Sequence, residues 1–364
     1  MSPKTSFRAV GILVASVGAL ATCKPESVPV GPRLLELPIA FHTPNGGALA
    51  PDGSVILTVP TSLSNGNLLE EGIIDAPVAP SIARIDLQER ISTWYSFTPE
   101  DLTESGGIQP MDAAFGPDGH LYITEMNGGR ILRINVDNGQ AVDADVVVEG
   151  IRMPNSLVWN DEVLFVSSSR LWQDETTDGS TELISGVYAF TLDELREGLV
   201  VRNPYQDGAE EQHLIVTFRS SNAIGVGADG VTVAADGNLY TAIFEDGAVF
   251  RTTFDNDGAP SQTTLLAGGG EILSADGIAF NPGDSLFYVA DIMANAVRVI
   301  DFDGNVSTLH ENGDTTGQDG GLDEPGAVLL RGRELFVMNA DMAIPGSKNT
   351  STDAPHSISV FRVH

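Results

Sequence analysis

One short pattern recurs six times along this chain, and a sequence that repeats itself every few tens of residues has few ways to fold. A small or polar residue, often Asp or Asn, is followed usually by glycine, then by three mostly apolar residues and a tight turn. The copies begin at Asn45, Met111, Asn155, Asp229, Asp276 and Pro325, with steps of 66, 44, 74, 47 and 49 residues. Between them the text alternates apolar and polar residues, as in His120-Leu121-Tyr122-Ile123-Thr124 and, after a Gly-Gly turn, Ile131-Leu132-Arg133-Ile134. The same plan returns at 238–244 and 248–254. Asp52, Asp118, Asp236, Asp257 and Asp303 sit where hairpins turn and read as turn residues.

Six units of about 45–50 residues, each long enough for four strands, predict an all-β fold: a six-bladed β-propeller of four-stranded antiparallel blades around a central channel. A ring must close or leave sticky edges, so the segments at 34–41 and 357–363 are expected to share the last blade. The longer steps place insertions near 62–82, 171–185 and 202–213, and the best helical turn is 191–196. Ser167-Ser168-Ser169 reads as a strand end, and the acidic stretch 311–324 as a solvated loop with surface calcium binding as the alternative.

Composition narrows the function. Acidic residues outnumber basic ones by 50 to 19, a net charge of −31, which works against contact with nucleic acid phosphates or anionic membranes. Three lysines, Lys4, Lys24 and Lys348, lie near a terminus or in a polar loop, which argues against Schiff-base chemistry. The single cysteine, Cys23, excludes an internal disulfide and a cysteine-built zinc site. No G-x-S-x-G elbow is present, and the Gly268-Gly269-Gly270 run lacks the lysine of a phosphate loop.

Residues 1–22 read as a signal peptide, with Lys4 and Arg8 ahead of an apolar run too short to span a bilayer. Two processing routes fit: cleavage after Ala19-Leu20-Ala21, or lipidation at Cys23 after a lipobox-like Leu20-Ala21-Thr22. A secreted, periplasmic or surface lipid-anchored protein is expected, with a linker over 23–33 and the propeller over 34–364. No later stretch approaches the length of a membrane helix.

If each copy starts the innermost strand of a blade, its first side chains converge on one mouth of the channel. Around the ring these are Asn45, Met111 with Asp112, Asn155, Asp229, Asp276, and Pro325 with Glu324. Carboxylates and amide oxygens without thiolates suit a hard divalent cation, calcium or magnesium, rather than a soft metal. His42, three residues before Asn45, is the best placed histidine for acid–base work.

The segments Pro154-Asn155-Ser156-Leu157-Val158-Trp159 and Asp229-Gly230-Val231-Thr232-Val233 resemble blade starts of the SMP-30/gluconolactonase (LRE-like) propellers, relatives of the paraoxonases and diisopropylfluorophosphatase. The resemblance implies a channel calcium, Asn155 as one ligand, and Asp229 as both ligand and base or nucleophile. Asn45 stands where that family has a glutamate and Met111 where it has a second asparagine, so Asp112 or Asp276 would have to restore the charge. The activity implied is metal-dependent hydrolysis of a small-molecule lactone or ester. The alternatives are a non-catalytic binding propeller, or one recruited to a lyase or cyclisation step. Neither substrate nor oligomeric state is legible.

Overall fold

Alternation of buried and exposed side chains becomes strand pairing in a computed structural model that describes residues 31–97, 107–175, 181–318 and 321–364. The expected signal peptide, Cys23 and most of the linker lie outside the described residues. Six antiparallel sheets follow one another along the chain as a propeller. Their innermost strands are Gly47–Leu49, Pro110–Phe115, Pro154–Asn160, Ala228–Val233, Ile278–Asn281 and Pro325–Arg331. Five blades have four strands, while blade 2 gains a fifth, Leu199–Val200, parallel to its outer strand Gln140–Glu149.

Closure takes the expected form. Arg33–Glu36 is the outer strand of blade 6, antiparallel to Ser357–Arg362, with Arg33 opposite Val360 and Glu36 opposite Ser357. The first described strand therefore completes the last blade.

The core is divided among the blade interfaces. Six apolar clusters each bridge two neighbouring blades: Ile56 with Leu121, Tyr122 with Leu164, Phe165 with Leu239, Tyr240 with Phe287, Tyr288 with Leu335, and Phe336 with Leu57. Each such side chain, fully buried, contributes about 1.5–3 kcal/mol. No blade can be lost without exposing two clusters.

Local chemistry explains the turns. Asp52, Asp118 and Asp236 accept the backbone N–H two residues on, from Ser54, His120 and Asn238. In the turns at Asp257 and Asp303 that role falls to Asp255 and Asp301. In three blades the turn aspartate also accepts the phenol of a tyrosine four residues later: Asp118 from Tyr122, Asp236 from Tyr240 and Asp284 from Tyr288. The expected helical turn is the helix Leu192–Glu197, opened by a capping box of Thr191 and Glu194.

Two expectations change. The insertion near 171–185 is an extension of paired strands, Val163–Glu175 and Thr181–Thr191. Ser167, Ser168 and Ser169 are accordingly buried inside a strand, and an irregularity between Ser168 and Trp172 breaks the alternation that would have revealed it. The insertion near 62–82 folds into a short helix, Asn65–Glu70. Among the described residues no helix is long and apolar enough to cross a membrane.

Two truncation and packing tests follow from the closure. Removal of residues 355–364 deletes the third strand of blade 6 and the seat of Arg33–Glu36, and is expected to abolish cooperative urea unfolding of the whole ring. Gly277→Ala places a methyl 2.7 Å from Ala327 Cα and is expected to cost about 1–3 kcal/mol in the same measurement.

Candidate functional site at the channel mouth

Inner strands come together because three positions, Gly46, Gly230 and Gly277, carry no side chain. Gly46 donates its N–H to the Met111 carbonyl at 2.8 Å, and Gly277 to the Gly326 carbonyl at 2.9 Å, bonds that run from blade to blade. A Cβ on Gly230 would lie 2.5 Å from the Asp276 carbonyl oxygen, and one on Gly46 2.7 Å from that of Met111. Thr58 Oγ1 also donates to the Met111 carbonyl at 2.7 Å, and the Thr124 hydroxyl to that of Asn155. The motif glycines are thus close-approach residues.

Asp112 is the fastener of this ring. One carboxylate oxygen accepts from Gly47 N at 3.1 Å and Ala113 N at 2.8 Å. The other accepts from Ser156 Oγ at 2.7 Å and Leu157 N at 3.3 Å. Donors from blades 1, 2 and 3 therefore converge on one carboxylate, and Ser156 Oγ in turn receives Val231 N of blade 4 at 3.3 Å. Burial pushes the Asp112 carboxyl up despite these bonds. With both oxygens engaged in the scaffold, it has less to offer a cation than its position suggested.

Asp229 and Asp276, from blades 4 and 5, meet with their carboxyl groups within hydrogen-bonding reach. Burial raises Asp229 to about 7, and burial together with the Asp229 charge raises Asp276 well above the ordinary carboxylate range. Two such groups cannot both be ionised side by side without a proton or a cation between them. Among the described residues, no Lys, Arg or His forms an ion pair with either. The point where a Gly326 Cβ would sit is 3.8 Å from Asp276 Oδ2 and 3.9 Å from Asn45 Nδ2, so the Asn45 amide and the pair share one space.

The remaining expected residues lie around them. Asn155 is buried and donates its amide nitrogen to Ser169 Oγ at 3.2 Å, which leaves its oxygen as the ligand-type atom, while Ser169 Oγ donates to the Ala228 carbonyl beside Asp229. Met111 is buried at 6% exposure and contributes its backbone carbonyl rather than its sulfur to the ring of bonds. His42 is fully buried, engaged at Nδ1 by Thr43 Oγ1 (2.8 Å) and at Nε2 by Asn65 Oδ1 (3.3 Å), and burial lowers it to about 4, so it is neutral. Its ring packs on His356 at 5.5 Å.

A cavity and an apolar cluster lie near the pair. Along the axis runs a space of about 350 Å³, lined by residues such as Ala113, Leu157, Thr232, Ile278 and Val328. At the mouth, Phe244, Ile292 and Ala340 form an apolar ledge with Val226, Met342 and Ile344 around them. Phe244 N is bonded to the Gly227 carbonyl, and Ala340 Cβ is 3.3 Å from the Cβ position of Gly326, which sets the ledge next to the acids.

A second acidic cluster joins Asp323, from the stretch whose alternative reading was surface calcium binding, to two aspartates that the sequence did not single out. Asp323, Asp341 and Asp353 bring carboxylate oxygens within 4.8 Å of one another, a grouping that could hold a divalent metal. Asp323 and Glu324 are buried, at 4% and 0% exposure, so the stretch 311–324 ends in the protein interior and not in a solvated loop. Burial raises Asp323 to about 8 and Asp341 to about 9, each helped by the neighbouring carboxylates. The three come from two segments, and Asp341 and Asp353 belong to a loop whose composition is that of any polar surface segment, so no local signal marks them.

Comparisons with known proteins agree with this architecture. The family described as SMP-30/Gluconolactonase/LRE-like region matches residues 39–267. A luciferin-regenerating enzyme superposes with a TM-score of 0.59 at 12% identity, over 92% of this chain and 98% of that one. A gluconolactonase from Xanthomonas campestris gives 0.54 at 12% identity, over 91% and 95%. An aldose sugar dehydrogenase from Streptomyces coelicolor, solved with PQQ bound, gives 0.53 at 15% identity, over 92% and 100%. At these identities the likeness is one of fold. No curated protein matches the chain.

The carboxyl pair has a signature in stability. Because the folded pKa of Asp229 lies above its unfolded value, the folded state holds the extra proton between about pH 4 and 7, and stability falls as pH rises through that window. In chelator-treated protein, Asp229→Asn is expected to raise the unfolding free energy at pH 8 by on the order of 1 kcal/mol or more, with the gain vanishing towards pH 4. Urea unfolding at a series of pH values measures it.

Proposed function

Because the chain belongs to the SMP-30/Gluconolactonase/LRE-like family, we propose that it is a divalent-cation-dependent hydrolase of lactone or ester substrates that works at the channel mouth. The observation that carries this reading is the buried pair Asp229 and Asp276, uncompensated by any basic side chain described here and sharing its space with the Asn45 amide. A hard cation suits that donor set: two carboxylates with amide oxygens from Asn45 and Asn155, and calcium is the natural candidate. Bound there, it would supply Lewis-acid polarisation of the substrate carbonyl and a counter-charge for the developing oxyanion.

The chain's own residues divide the remaining work. Asp276 and Asn45 position the cation side of the site. Asp229, at the start of its strand, takes the proton of the attacking water. An aspartate raised by burial is a better base at neutral pH than an exposed one, although a neighbouring cation lowers it again. Asp112 holds the blades in register and is assigned no ligand role, and His42, engaged at both ring nitrogens, packs the wall. The partly exposed Val226, Met293, Met342 and Ile344 around the Phe244 cluster favour acyl or aromatic groups beside the reacting carbonyl over a bare sugar lactone. Export, with or without a lipid at Cys23, is part of the proposal and rests on the sequence at 1–22.

A panel of acyl, aromatic and sugar lactones tests it. Turnover is expected to favour the apolar substrates, to disappear with chelator, to return with calcium, and to fall by at least about 100-fold in Asp229→Ala. Binding of the same compounds without cation-dependent turnover would point instead to a non-catalytic binding propeller.

A further inference from the structure

Blades 2 and 5 fasten the loops that enter their inner strands with the same acid–arginine clamp, and blade 6 builds that position from other groups. In blade 2 the N–H of Gln109, two residues before Met111, donates to Glu125, which is ion-paired to Arg130 at 3.1 Å. In blade 5 the N–H of Ser274, two residues before Asp276, donates to Asp291, ion-paired to Arg298 at 2.8 Å. In blade 6 the corresponding N–H belongs to Asp323, two residues before Pro325. It donates to Asn339, whose amide nitrogen bonds Ser357 and Ser359 of the third strand. Both the acid and the arginine of the clamp are replaced by neutral groups.

Negative charge nevertheless accumulates there. Asp341 follows two residues after Asn339 and receives the N–H of Asp353 at 2.7 Å and the Asn349 amide at 3.4 Å. Asp323 Oδ1 and Asp353 Oδ2 are enclosed and have no hydrogen-bond partner. A buried carboxylate oxygen left so is costly unless a ligand completes it. A separate side chain tells the same story: His356 is 97% buried, neither ring nitrogen has a hydrogen-bond partner, and its Nε2 stands 4.0 Å from Asp341 Oδ2. A buried imidazole beside Asp341, next to three carboxylates that approach within 4.8 Å of one another, is a set of groups that a cation would complete.

We propose that Asp323, Asp341, Asp353 and His356 form a second divalent-cation site, separate from the channel pair, that takes the place of the arginine clamp in blade 6 and ties the loop 340–356 to the entry of the closing blade. Three carboxylates with one imidazole nitrogen suit a first-row ion such as Mn²⁺ or Zn²⁺ better than calcium, which takes oxygen. The ion would join residues on both sides of Pro325–Arg331 and Glu334–Asn339, the strands next to the seam where Arg33–Glu36 completes the ring. The site is independent of the hydrolase reading, and its role is to hold the closure.

The test uses the full chain, stripped with chelator, in an Asp229→Asn background also carrying Asp276→Asn, so that the channel keeps no carboxylate of the pair. Mn²⁺ is expected to bind at one equivalent, to raise Tm by roughly 4 °C at a hundredfold excess over Kd, and to show nitrogen coupling in pulsed EPR. Adding His356→Gln should remove the nitrogen coupling. Adding Asp341→Asn should abolish the Tm shift while leaving the metal-free Tm equal or higher, because one crowded buried ionisable group is replaced by a neutral one of the same shape. Asparagine also tolerates the left-handed backbone at this position, where φ is 47°. Asp353→Asn, at a half-buried residue, repeats the test where less packing is at stake. No Mn²⁺ or Zn²⁺ uptake in this doubly substituted background, a Tm shift that survives Asp341→Asn and Asp353→Asn, or no nitrogen coupling would each overturn the proposal.

Discussion

Six inner strands meet at one axis, and hydrogen bonds from blade to blade hold them there only because glycine stands at the points of closest approach. Gly46 reaches the Met111 carbonyl and Gly277 that of Gly326 across distances a Cβ would block. That convergence fixes the site. The residue ahead of each glycine is carried to the mouth of the channel, and acidic residues that are far apart in sequence become neighbours in a region with little water. Asp229 and Asp276 then repel each other and hold a proton more tightly.

The three carboxylates at the axis have different surroundings, and this divides their roles. Asp112 accepts four hydrogen bonds from protein donors in three blades. Asp229 and Asp276 have chiefly each other. A carboxylate saturated by N–H and O–H donors stabilises a ring, whereas a pair short of partners can bind something else. The same contrast separates the two acidic regions of blade 6. Glu324 is satisfied by the N–H groups of Met342 and Ile344 and by the Ser347 hydroxyl, while Asp323 and Asp353 each keep an enclosed oxygen without a partner.

Ring closure shapes energetics as well as geometry. Each apolar cluster belongs to two blades, so stability is shared around the circle and the seam at Arg33–Glu36 and Ser357–Arg362 matters out of proportion to its size. Blade 6, which carries this seam, is also where the acid–arginine clamp of blades 2 and 5 has been exchanged for Asn339 and two serines.

By itself the sequence determined the repeat, and with it the number of blades, the turn aspartates and the closing pair of strands, because period-two alternation and Asp-Gly turns are local signals that survive without contacts. It also brought Asp229 and Asp276 into one list of candidates. Tertiary structure alone decided how that list divides. That Asp112 is saturated while Asp229 is not depends on donors from blades 1 and 3, and that His42 faces His356 depends on packing across the seam. The cluster of Asp323, Asp341 and Asp353 was illegible for the same reason: burial and proximity are properties of two segments meeting, and a polar loop looks the same in sequence whether its carboxylates end in water or inside the protein.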